Sequence, residues 1–90
     1  VPLPSHRRLL WASYADETLA LAAVARLYAR GSEPSACEFM ERRAAEVSAA
    51  YLSLSLPADA TAHLFVEAGG FSDDSVSQDA ETFGEITAPA

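Results

Sequence analysis

Apolar residues along this chain recur at helical spacing in two stretches and at alternate positions in a third. Leu10, Tyr14, Leu21, Val24 and Tyr28 share one face of a helix expected over Ser13–Arg30, or from a turn earlier at Leu9. Glu17 interrupts that stripe, and Trp11 and Leu19 fall on the far side, so the helix is expected to bury a second face. Ser13 followed by Asp16 resembles a capping box. Arg26 and Arg30 suit the negative end of the helix, and Gly31 stands where a left-handed residue closes it.

The second helix is expected over Ala36–Leu54. Cys37, Met40, Ala44, Val47, Tyr51 and Leu54 form a continuous helical stripe, and Ser35 with Glu38 repeats the capping-box pattern after Pro34. Glu38 and Arg42 are four apart with the acid first, and Arg42 and Glu46 are four apart in the weaker order. The short Gly31–Ser35 link predicts that the two helices pack as an antiparallel hairpin.

Beyond Tyr51 the pattern supports two readings. Leu52-Ser-Leu-Ser-Leu56 alternates like a strand, and Pro57 ends it. Asp59 then suits the cap of a short helix over Ala60–Ala68, closed by Gly69-Gly70. The alternative is a strand at His63–Glu67 paired with Leu52–Leu56, with Thr82–Thr87 as a third strand. The helix is the preferred reading. The expected fold is therefore all-α: an antiparallel helical hairpin, a short third helix and an acidic C-terminal tail. The alternative is α+β, two helices followed by a small antiparallel sheet. The expected organisation is an extended arm over residues 1–8, where two prolines preclude a helix, a helical domain over 9–68, and a tail over 69–90 ordered by a partner.

Charge sharpens the picture of the tail. All six basic residues are Arg and lie before position 44, whereas Asp59, Glu67, Asp73, Asp74, Asp79, Glu81 and Glu85 follow with no base among them. The net charge of −7 thus belongs to the C-terminal part. It opposes binding to nucleic acid or anionic lipid and favours a protein partner with a basic surface. No apolar run approaches the ~20 residues of a membrane span, so a cytoplasmic protein is expected.

The candidate chemistry is sparse. Cys37, the lone cysteine, falls on the apolar stripe of the second helix, where a buried structural residue is the ordinary expectation. His6 and His63 lack companions at metal-ligand spacing, so neither a metal nor a cofactor is expected. Phe65-Val-Glu-Ala-Gly69-Gly70-Phe71-Ser72 resembles the core motif of peptidyl carrier proteins. That resemblance covers eight residues and implies phosphopantetheine on Ser72, although Asp73 and Asp74 stand where such carriers place apolar residues.

These features together predict a non-enzymatic binding module or accessory subunit, of the antitoxin, immunity, inhibitor or adaptor type. Its expected contact residues are Trp11, Leu19, Phe71, Asp73, Asp74, Phe83, Glu85 and Ile86. The aromatic and aliphatic members would anchor and the acids would steer. A homo-oligomer, a structural subunit of a larger assembly and a carrier modified at Ser72 are the alternatives.

Overall fold

The computed structural model describes residues 5–88. The chain forms β1 (His6–Tyr14), α1 (Glu17–Ala29), β2 (Ala36–Glu41), α2 (Arg42–Tyr51), β3 (Ala62–Gly70) and α3 (Asp73–Thr87). The strands make one sheet in the order β1-β3-β2, with β3 antiparallel to both neighbours. β1 and β2 therefore run parallel, joined through α1, with the last strand inserted between them. This is a split β-α-β arrangement.

Alternation along the strands gives the sheet two distinct faces. On one, Ala62, Leu64, Val66 and Ala68 of β3 are buried together with Tyr14, and Leu10, Ala12 and Cys37 pack beside them. α1 covers this face with Ala20, Ala23 and Leu27, and α3 with Val76, Phe83 and Ile86. Each buried Val, Leu, Ile or Phe side chain among these contributes roughly 1.5–3 kcal/mol, and each Ala less. The other face carries three cross-strand rows: Leu9–Glu67–Ala36, Trp11–Phe65–Glu38 and Ser13–His63–Met40. α2 packs on β2 and β3 and buries Ala45 and Ala49, neither of which joins the α1/α3 core.

The architecture is α+β, which corrects the all-α expectation. There is no helical hairpin of α1 and α2, because the sheet lies between them. The first helix begins at Glu17, after Asp16, whose carboxylate accepts the Leu19 N–H at 3.0 Å; residues 6–14 are a strand. The stripe read as one helix over Ala36–Leu54 is divided between β2 and α2. Ser35 donates to the Glu67 carboxylate at 2.8 Å in place of capping that helix, and Arg42 pairs with Glu46 at 2.9 Å.

The short helix expected over Ala60–Ala68 is β3. A strand does cover His63–Glu67, as the alternative had it, but its partners are β1 and β2. Leu52–Leu56 joins no strand, and Thr82–Thr87 is helical. The acidic stretch expected as a tail is α3, docked through Val76, Phe83 and Ile86. Residues 1–4 of the expected arm, and residues 89–90, lie outside the described residues.

One expectation holds in detail. Gly31 closes α1 with φ of 73°, its N–H bonding Tyr28 O at 3.0 Å and the Ser32 N–H bonding Leu27 O at 3.0 Å. These are the two hydrogen bonds of a Schellman motif.

Candidate functional site: an open aromatic sheet face

α2 is too short to roof the whole sheet, and the middle row of the uncovered face is aromatic. Trp11 and Phe65 meet edge to face with ring centroids 6.3 Å apart. They floor a groove of about 390 Å³, walled by Val47, Ser48, Tyr51 and Leu52 from α2 and its exit. Met40 closes one end, and Glu38 stands at the β2 side. A smaller trough of about 270 Å³ continues from Trp11 and Phe65 toward Leu9 and Leu54. Tyr51, at 90% exposure, and Val47, at 71%, leave this rim of apolar surface open to solvent. Apolar surface of that kind makes this face the candidate site.

Beneath α2 lies His63, fully buried on the central strand. Its Nδ1 accepts the Trp11 indole N–H at 3.2 Å and lies 2.9 Å from the Ser13 hydroxyl. Indole nitrogen only donates, so Nδ1 is the bare nitrogen and the neutral ring carries its hydrogen on Nε2. Burial, and secondarily the Arg42 guanidinium, hold the ring below the ordinary histidine pKa. Nε2 is buried without a partner among the described residues. The ring thus fixes Trp11 from below and stays neutral at physiological pH.

The residues expected as contacts are dispersed. Trp11 is in the groove. Leu19 is exposed on α1, a helix that covers the opposite face, so the two do not form one surface. Phe83 and Ile86 are buried in the chain's own core and are not free to anchor a partner. Phe71 is exposed at the turn between β3 and α3. Asp73 pairs with Arg8 at 2.9 Å and lies 3.8 Å from His6. Asp74 is exposed in the first turn of α3, and Glu85 borders a second depression of about 430 Å³ with Arg26 and Arg30. Ser72, the residue of the carrier resemblance, caps α3 by accepting the Ser75 N–H at 3.3 Å. Glu38, Met40, Tyr51, His63 and Phe65 were not expected at a site. Reading 36–41 and 62–70 as strands would have aligned Glu38, Phe65 and Trp11 in one row.

The fold and groove define an α+β domain with one closed face and one open aromatic face. The family model for the C-terminal domain of FAD linked oxidases matches residues 3–89. The chain belongs to that family, a family of oxidoreductases. No curated protein matches the sequence. The family overturns the expectation of a non-enzymatic binding module, and with it the protein-binding, helical-hairpin and acidic-tail description. Among the described residues no helix is long and apolar enough to cross a membrane.

The described residues do not fit FAD as its sole holders. One arrangement that holds a dinucleotide is a strand–glycine–helix turn whose N–H groups face the pyrophosphate. Gly69 and Gly70 do end β3 just ahead of α3, but both are paired in the sheet with β1, and Asp73 and Asp74 occupy the first helical turn and repel phosphate. The aromatic groove offers no cation either, since no Arg lines it.

Proposed function

We propose that the chain serves an FAD-linked oxidase as the domain that covers its reaction site. The closed face, with α1 and α3, is the scaffold. The open face is turned toward the substrate and the flavin-bearing part of the enzyme, which holds the dinucleotide. The observation that carries this reading is the Trp11–Phe65 row, an aromatic surface left uncovered in a domain of this family. An apolar cover excludes water and strengthens the polar contacts that remain beneath it. His63 is a positioning residue here: it holds the Trp11 ring at a fixed height through the 3.2 Å bond.

The test is made in the oxidase that carries this domain. Trp11→Asp is expected to lower turnover at least about tenfold, a loss near 1.4 kcal/mol of transition-state stabilisation, while the isolated domain keeps its folded circular dichroism. Docking of the domain onto the flavin-bearing part should also shift the fluorescence of Trp11, the sole tryptophan of the chain. Unchanged turnover in the Trp11→Asp enzyme overturns the reading.

A further inference from the structure

We infer that the groove on the open face is a binding site for an organic ammonium ion with an apolar or aromatic body. The inference rests on the same open face as the proposed function and adds the chemical class of the occupant. Two observations combine. The lining is aromatic and aliphatic, with Trp11, Phe65 and Tyr51 on separate elements around one space. Glu38 is the only ionisable carboxylate in that lining, and it makes no hydrogen bond or ion pair among the described residues.

The Arg nearest to Glu38 in sequence is engaged elsewhere. Arg42, one turn on in sequence, donates to Glu46 at 2.9 Å, to Pro57 O at 2.9 Å and to Ala60 O at 2.6 Å. None of the six Arg lines the groove. The lining therefore holds one carboxylate and the faces of electron-rich rings, with no Arg among it. Aromatic faces attract cations, most strongly the indole of Trp, and aromatic walls around a cation are the general solution for ammonium recognition. A carboxylate-bearing ligand would meet Glu38 with no compensating base. About 390 Å³ accommodates a single-ring ligand with a short amino side chain.

The experiment titrates the chain with phenethylammonium and with 3-phenylpropionate, probes of similar size and opposite charge, and follows Trp11 fluorescence. Phenethylammonium is expected to saturate the signal and to bind roughly tenfold or more tighter than the carboxylate, because Glu38 attracts the one probe and repels the other. Glu38→Gln, on an exposed position of an edge strand, should abolish most of that preference while leaving the thermal melt in place. Phe65→Leu should weaken both probes and preserve their order. Equal binding of the two probes, a preference for the carboxylate, an unaffected Glu38→Gln, or no saturation at all overturns the inference. Oxidase turnover that survives Trp11→Asp while phenethylammonium still binds overturns the proposed function alone. The converse pair of results overturns the ammonium site alone.

Discussion

Trp11 has one polar hydrogen to give, and it gives it to a histidine that the fold keeps neutral. The pH dependence follows from that. His63 in the folded chain lies below its ordinary pKa because of burial and then the Arg42 guanidinium. In the unfolded chain the ring takes up a proton near pH ~6.5. Stability is therefore fully present above about pH 6.5 and is lost as pH falls through that value toward the folded pKa. The groups facing the ring are Trp11 and Ser13 from β1, Met40 from β2 and Arg42 at the start of α2. Protonation would place a hydrogen on Nδ1 against the indole N–H. The melting temperature should fall between pH 7.5 and pH 5.5, and His63→Gln should reduce that fall. Parallel declines in the two proteins would show that His63 is not its source. Tyr14 makes the comparable bond on the closed face: its hydroxyl donates to Thr87 O at 2.6 Å, and burial pushes the phenol pKa up, so it remains a donor. Tyr14→Phe should cost about 1 kcal/mol, which is roughly 4–8 °C of melting temperature in a domain this size. A melt within error of the parent would mean that the bond contributes nothing net.

The helix termini, one scale up, separate what the sequence reveals from what it conceals. The close of α1 at Gly31 is legible because only a left-handed C′ residue explains a glycine there. α2 closes with the same pair of bonds, Ser53 N–H to Ala50 O at 3.3 Å and Leu54 N–H to Ala49 O at 2.8 Å. Its C′ residue is Ser53, with φ of 57°, and no pattern announces it. A non-glycine residue there costs roughly 1 kcal/mol or more. Ser53→Gly should therefore raise the melting temperature by a few degrees, less than the full strain because glycine also gains freedom in the unfolded chain. An unchanged or lower melt would show the turn to be unstrained. The strands were concealed by apolar residues on both faces. Leu9, Leu10 and Trp11 run consecutively, so β1 has no clean alternation. β2 passes into α2 without a linker, and Cys37, Met40, Ala44 and Val47 imitate one helical stripe across the junction. β3 carries His63, Glu67 and two glycines, which weaken its strand character, although Leu64 and Val66 are its true core signal.

The split of charge along the chain resolves, in the folded molecule, into contact between its two ends. β1 and α1 carry Arg7, Arg8 and Arg26, α3 carries Asp73, Asp74, Asp79, Glu81 and Glu85, and α3 packs on both. Arg8 meets Asp73, and Arg26 donates through Nε to Ile86 O at 3.1 Å, capping the negative end of α3. Local sequence could show the imbalance but not its partner, because the paired residues are separated by 60 positions or more. The division of the sheet into two faces is likewise a property of the whole, and it makes neighbouring residues unequal. Leu64 points into the closed core and is fully buried; Phe65, the next residue, floors the open groove and is half-buried. Leu64→Ala should cost ~2–5 kcal/mol through lost burial and an unfilled cavity. Against a total that for such domains is often ~5 kcal/mol, that loss leaves much of the protein unfolded at 37 °C. Phe65→Ala removes more atoms yet should cost less, because part of its surface is already in water and the groove it floors is open to solvent. Its effect should appear as weakened phenethylammonium binding and lowered oxidase turnover in a chain that still melts cooperatively. Equal destabilisation by the two substitutions, measured by urea titration, would mean that Phe65 belongs to a closed core and that the second face is not an open one.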